Sequence, residues 1–246
     1  MFPIVHYYTN LCIYGEVPPL MALGGLFPDL ASGSGLNRDE AHQMGAAFYK
    51  YCQKHVPEAL PLARGIISHG INPYGTDYYA DEYWPGCERG WCFEQGRPWI
   101  AQIEAATKLP ANLLWWKSHN FVEISGELLT NQAEPAIGPA IISASQDQGL
   151  VEFASSVLHH YTGNDPEKIA TMFYRTPEIF ALDEVTPASQ ARHQEAAFRR
   201  RHQVFNADCN AMADLLSAMT EALRPEYAPY LQEANRLIGE MLAGFD

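Results

Sequence analysis

The stretch ANLLWWKSHNFVEISGELLTNQ, residues 111–132, is the longest apolar helical stretch that the sequence predicts. It nevertheless carries His119 and Glu123, and residues four apart on a helix lie on one face, about 5–6 Å apart at Cβ. That face predicts one of two arrangements. It is either the wall of a metal site or ordinary core with a hydrogen-bonded His–Glu pair.

Helical patterns recur along almost all of the 246 residues, whereas strand signals are sparse. We therefore predict an all-α fold: a single globular domain of about eight to ten helices. Proline and glycine divide the pattern, and residues 70–98, rich in both, predict a long loop. Helices are expected at about 3–14, 18–26, 37–56, 62–70, 98–107, 111–132, 146–162, 165–174, 189–222 and 226–243.

Two parts are expected along the chain. Residues 1–184 predict a helical metal-binding domain, and residues 185–246 predict a C-terminal helical pair. The stretch DEVTPAS before the second part leaves two alternatives open. The pair packs on the same domain, or it is a separate hairpin.

The composition excludes some classes of function. The formal net charge is −13, so the chain has no basic field with which to bind nucleic acid. The N-terminal stretch MFPIVHYYTNLCIYG lacks the basic start of a signal peptide. No apolar run reaches the roughly 18 residues of a membrane span. These features predict a cytoplasmic protein without a transmembrane segment, and they leave its oligomeric state open.

Histidines and acidic residues recur in apolar or loop-forming segments of the first half. They are His6, Asp29, His42, His69, Asp77, Asp81, His119 and Glu123. Taken singly, each could be a hydrogen-bonded structural residue, and Arg38 and Glu40 favour a solvated position for His42. Taken together they predict a metal site, since helices can direct imidazole and carboxylate groups from several directions onto one divalent ion. Ligation without thiolate suits zinc above all, and also iron or manganese.

The order of these residues resembles that in the helical zinc-dependent phospholipase C-like proteins, a superfamily that includes the P1-type nucleases. The resemblance covers residues 1–130 and rests on an early His, GGLFPDL, IISHG followed by an Asp, and HNFVE. It implies six metal ligands: His6, Asp29, His69, Asp77, His119 and Glu123. Pro73 occupies the fourth position after His69, where the family has Asp. Asp77 takes that role here, and a one- or two-metal site is expected.

These observations predict a metal-dependent hydrolase, with a small-molecule or lipid-like phosphoester as substrate. A bound ion would lower the pKa of a water molecule from 15.7 toward about 7. Asp77 or Asp81 could then serve as the general base. The alternative is a non-catalytic helical binding protein in which the metal site is structural or a remnant.

Overall fold

Helices account for nearly all of the chain, as the all-α prediction requires. The computed structural model describes residues 2–245, and within that range it contains fourteen α-helices and no strand. The first eight are α1 (Pro3–Tyr14), α2 (Pro19–Leu30), α3 (Arg38–Gln43), α4 (Gly45–His55), α5 (Leu60–His69), α6 (Trp91–Gly96), α7 (Ile100–Thr107) and α8 (Ala111–Ala133). The last six are α9 (Ile137–Gln146), α10 (Gln148–Thr162), α11 (Pro166–Tyr174), α12 (Thr176–Phe180), α13 (Pro187–His202) and α14 (Cys209–Leu242).

The helices share one apolar core. Helix α8 passes through this core and packs on α1, α6, α7 and α14. The helix predicted from residues 111–132 thus forms at nearly the predicted bounds. Of the helices between residues 2 and 245, none combines the length and the apolar character needed to cross a bilayer.

The tightest contact between two helices is that of α2 with α5, and it depends on glycine. A Cβ atom on Gly24 would lie 2.1 Å from the carbonyl oxygen of Leu62, and one on Gly65 would lie 2.2 Å from that of Met21. Only hydrogen fits at these two positions, so the two backbones touch. This contact brings the carbonyl oxygen of Gly25 to 2.7 Å from Nδ1 of His69.

Helix α2 is longer than predicted. The sequence predicts that this helix ends near residue 26, before Pro28. That end is wrong, because the helix continues through the proline to Leu30. A proline removes one intrahelical hydrogen bond. Burial of Phe27 and Leu30 on either side of Pro28 offsets that loss. Asp29 therefore stands on a helix rather than in a loop.

The second half of the chain breaks at a different place from the predicted one. The predicted helix 189–222 ends at His202, where Gln203 adopts a left-handed φ of 55°. A new helix, α14, begins after Asp208, whose carboxylate accepts hydrogen bonds from two backbone N–H groups. The break predicted between 222 and 226 is wrong, because α14 runs through Pro225 and Pro229.

Packing explains why α14 continues past its prolines, since Leu223, Tyr227 and Tyr230 are buried on both sides of them. Helices α13 and α14 pack against each other, and α14 also packs on α1 and α7. A C-terminal helical pair thus forms, while the boundary between residues 184 and 185 stays a prediction.

The structure contains short helices in two segments where the sequence predicts none. The predicted loop 70–98 contains a π-helical turn, Tyr78–Glu82, as well as α6. Helix α9 begins at Ile137 and covers residues 137–146, where the sequence predicts no helix before residue 146. Short helices of this kind raise the number of helices above the predicted eight to ten.

Substitution Gly65→Ala is expected to lower the free energy of unfolding by about 2 kcal/mol or more, since overpacked helices must separate. Gly239→Ala in α14 is the matched control, because its Cβ would meet no atom closer than 3.9 Å. There, relief of glycine's backbone entropy should leave stability unchanged or raise it by up to about 1 kcal/mol. Urea denaturation followed by circular dichroism measures both, and equal effects would contradict the role of the α2–α5 contact.

Candidate metal centre

Four separate elements direct one side chain each toward a common point. Asp29 is on α2, His42 on α3 and His69 at the end of α5, while Asp77 precedes the π-helical turn. One ligand atom from each of these residues lies within 4.8 Å of the other three. We call this set the first group. Its two imidazoles and the Asp77 carboxylate are buried, and the Asp29 side chain is 21% exposed.

Backbone carbonyl groups fix the proton positions on the two histidines of the first group. Nδ1 of His42 lies 2.7 Å from the carbonyl oxygen of Arg38, and Nδ1 of His69 lies 2.7 Å from that of Gly25. A carbonyl oxygen only accepts, so each Nδ1 carries the hydrogen and each neutral ring presents a lone pair at Nε2. The two Nε2 atoms face each other at 3.3 Å. Metal-ligating histidines are held by their other nitrogen in this way.

The charges of the first group favour a cation at its centre. Oδ2 of Asp77 lies 3.2 Å from Nε2 of His42 and 3.4 Å from Nε2 of His69. Burial alone would lower the pKa of His42, but the Asp29 and Asp77 carboxylates outweigh it and raise that pKa to about 9. Two facing lone pairs beside two carboxylates need either an added proton or a metal ion between them.

His6 adjoins the first group without belonging to it. Its ring on α1 stacks on the His69 ring, with centroids 3.6 Å apart. Its Nε2 lies 3.5 Å from Oδ1 of Asp77. Asp77 therefore directs one carboxylate oxygen to the first group and the other to His6. Burial, and next the charge of His69, hold the pKa of His6 well below its ordinary value.

A second group is formed by Asp81 from the π-helical turn with His119 and Glu123 from α8. One ligand atom from each residue lies within 4.8 Å of the other two, and all three residues are buried. The direct His–Glu hydrogen bond considered above does not form, because Nε2 of His119 and Oε2 of Glu123 are 3.9 Å apart. Instead the Asn120 amide donates to Oε2 of Glu123 at 2.9 Å and lies 3.2 Å from Nε2 of His119.

Burial determines the protonation of two members of the second group. Burial, and next the negative charge of Glu123, raise the pKa of Asp81 well above its ordinary value. Oδ1 of Asp81 is buried and has no hydrogen-bond partner. Burial lowers the pKa of His119 to about 4, so its ring is neutral and able to ligate. One imidazole nitrogen and two carboxylate groups are donors that fit a divalent ion.

The π-helical turn connects the two groups, because Asp77 and Asp81 stand four residues apart along it. Thr76 donates a hydrogen bond to the Ser68 carbonyl at 3.0 Å and so attaches the start of the turn to α5. The N–H of Gly90 donates to the Asp81 carbonyl at 3.2 Å from the other side. Short π-helical segments occur often at functional sites, because they change the direction of side chains within a helical segment.

The structure divides most of the predicted ligands between the two groups. Of the six predicted ligands, Asp29, His69 and Asp77 lie in the first group, His119 and Glu123 lie in the second, and His6 lies beside the first. Asp81, predicted as a general base together with Asp77, belongs to the second group. The roles of these residues in metal binding and catalysis stay predictions.

The solvated position favoured for His42 is wrong, since His42 is 1% exposed. Helix α3 is short and is capped by Asn37, whose side chain accepts hydrogen bonds from Asp39 and Glu40. The cap keeps the first turn at the surface and turns Ala41 and His42 inward. The signal that identifies His42 is its apolar surroundings in sequence, Ala41 and Met44, rather than the charged residues before it.

Glu127, one turn beyond Glu123 on α8, holds the start of α1. Its carboxylate accepts hydrogen bonds from the N–H groups of Ile4 at 3.0 Å and Val5 at 3.1 Å. These belong to the first turn of α1, where the N-cap residue Phe2 provides no side-chain bond. A carboxylate from another helix thus caps α1 and fixes the position of His6, the residue that follows Val5.

No protein-family model matches this chain, and neither a curated protein nor a solved structure matches it. The geometry of the two groups therefore carries the functional argument.

Glu127 should make stability depend on pH. Burial raises the pKa of Glu127 from 4.5 to about 8, although the bonds from Ile4 and Val5 oppose the rise. Because the folded-state pKa is the higher one, its contribution is complete below about pH 4.5 and is lost as the pH rises through about 8. Glu127→Gln should reduce the loss of unfolding free energy between pH 6 and pH 9.

Urea denaturation of both proteins at several pH values, at constant metal content, measures this difference. The difference between the wild type and Glu127→Gln reports on Glu127 alone, since all other titrating groups are present in both proteins. A stability difference that stays constant from pH 6 to pH 9 would contradict the assignment.

Proposed function

We propose that this protein is a metal-dependent hydrolase of phosphoesters that binds one divalent ion in each group. Asp29, His42, His69 and Asp77 would hold the first ion, and Asp81, His119 and Glu123 the second. The observation that carries the proposal is the pair of Nε2 lone pairs facing each other at 3.3 Å beside two carboxylates.

The donor sets suit this assignment. Both groups offer imidazole nitrogen and carboxylate oxygen without thiolate, which fits zinc first and also iron or manganese. The second group supplies three protein donors, the number that catalytic zinc sites usually have, with a further position left for water or substrate. The resemblance to the phospholipase C-like metallohydrolases supports the same assignment.

A bound divalent ion supplies Lewis acidity and makes a water molecule acidic enough to ionise near neutral pH. The residues of the chain provide the proton transfer. Asp77 is a poor base: burial would raise its pKa, but the neighbouring charges outweigh burial and hold that pKa well below the ordinary value. Asp81 is the better candidate, since its Oδ1 has no hydrogen-bond partner: one carboxylate oxygen would hold the ion and the other would accept the proton.

Aromatic residues beside the second group favour an ester with an apolar portion. Trp116 is 42% exposed and lies edge-on to the His119 ring, with centroids 5.0 Å apart. Phe93, which is buried, stacks on the His119 ring with centroids 4.3 Å apart and supports it from within the core. An apolar surface next to polar donors is typical of small-molecule sites, and it suits an aryl or lipid-like ester group.

Metal content tests the ligand assignment. The purified protein should contain about two equivalents of metal by inductively coupled plasma mass spectrometry, and His42→Ala and His119→Ala should each lose about one. His160→Ala is the control, because His160 is exposed at the end of α10 and should keep both equivalents. Unchanged metal content in His42→Ala and His119→Ala would refute the two sites.

Turnover tests the reaction. We expect hydrolysis of p-nitrophenyl phosphate or bis-p-nitrophenyl phosphate that is abolished by chelator and restored by zinc or manganese. Asp81→Asn should lower kcat by about 10²–10⁴-fold, the usual effect of removing a general base. Stoichiometric metal without chelator-sensitive turnover of either ester would instead favour a non-catalytic binding protein.

A further inference from the structure

Lys117 places a positive charge next to the second group. It stands on α8 two residues before His119, and its Nζ lies 3.5 Å from Oδ1 of Asn120. The same Asn120 donates to Glu123 and contacts His119. The ammonium group is therefore one side chain away from the candidate ligands.

Arg38 places a second positive charge near both groups. It begins α3, and its carbonyl oxygen accepts the hydrogen bond that orients His42. Its side chain is exposed and interacts electrostatically with Asp77 and Asp29 of the first group and with Asp81 and Glu123 of the second. It nevertheless forms no ion pair with any residue in the described range 2–245.

Arg201, in the last turn of α13, is the third positive charge. Its guanidinium is close enough to Lys117 to repel the ammonium, as the guanidinium of Arg38 also does. Arg201 likewise has no ion-pair partner within the described residues. Three helices thus bring like charges together in a chain whose net charge is −13.

Most arginines in the described part of the chain form ion pairs. Seven arginines pair with glutamate within 4.0 Å; they are Arg89, Arg97, Arg175, Arg192, Arg199, Arg224 and Arg236. Arg38, Arg200 and Arg201 have no such partner among residues 2–245, and of these three only Arg38 and Arg201 are close enough to Lys117 to repel its ammonium group. Their charges are left available for an outside anion.

The balance of charges around the two groups also favours an anion beside Arg38, Lys117 and Arg201. The two groups contain four carboxylates, Asp29, Asp77, Asp81 and Glu123, which two divalent ions would neutralise. Arg38, Lys117 and Arg201 would add three positive charges to those of the ions. Like charges held together are unfavourable unless an anion lies among them.

We propose that Arg38, Lys117 and Arg201 form a cationic rim that binds the phosphate of a dianionic substrate, so that phosphomonoesters are preferred over phosphodiesters. The proposal rests on the proposed function, because two bound ions are needed to offset the carboxylates. Each arginine guanidinium can bind two non-bridging phosphate oxygens at once. The lysine adds a compact positive charge on a flexible side chain.

Binding of inorganic phosphate to the metal-loaded protein at pH 8, measured by isothermal titration calorimetry, tests the rim directly. Arg38→Gln and Lys117→Gln should each weaken phosphate binding about tenfold or more, while metal content stays at the wild-type level. Dimethyl phosphate, a monoanion, should bind more weakly and respond less to these changes. Arg200→Gln is the matched control, next to Arg201 on α13, and should bind phosphate like the wild type.

Kinetics provide the second measurement. The same two variants should raise KM for p-nitrophenyl phosphate about tenfold or more and leave KM for bis-p-nitrophenyl phosphate nearly unchanged. If metal content and turnover are normal but phosphate affinity and ester preference do not change, the rim proposal is wrong and the hydrolase proposal stands. If metal and rim-dependent phosphate binding are present without turnover, the rim stands and the hydrolase proposal is wrong. A protein that binds no metal refutes both.

Discussion

Two imidazole nitrogens held face to face at 3.3 Å are the constraint on which the first half of the fold depends. Neither ring can turn away, because a backbone carbonyl oxygen accepts the Nδ1 hydrogen of each. One carbonyl belongs to Gly25, which reaches His69 only because the glycines of α2 and α5 let the two backbones touch. The other belongs to Arg38, at the start of the helix that Asn37 caps. Helix packing and capping thus determine the geometry of the site.

Helix α8 links the second group to α1 through three side chains spaced four residues apart on one face. His119 and Glu123 belong to the second group, and Glu127, four residues later, caps α1. Since α1 carries His6, which contacts Asp77, a single buried helix supports residues of the second group and orients a neighbour of the first. A helix this apolar tolerates these side chains because each has a polar partner or a candidate ion.

The sequence predicts the parts of this arrangement that depend on local pattern, and the parts that depend on packing escape it. The bounds of α8 and the shared face of His119 and Glu123 follow from helical periodicity alone. The inward position of His42 does not, since it depends on how one short helix is capped and turned. Likewise, whether Pro28 or Pro225 ends a helix depends on burial of the flanking residues. The grouping of the ligands into two sets required coordinates, because spacing along the chain gives no distance between helices.

Asp77 and Asp81 belong to one short segment that is attached to α5 at its start and to Gly90 near its end. A change in the position of either carboxylate would act on the backbone segment that carries the other. An ion that settled against Asp77 would therefore remove conformational freedom that a later ion at Asp81 would no longer have to remove. By thermodynamic reciprocity the same advantage holds in the opposite order of arrival, so the two metal equilibria should be positively cooperative.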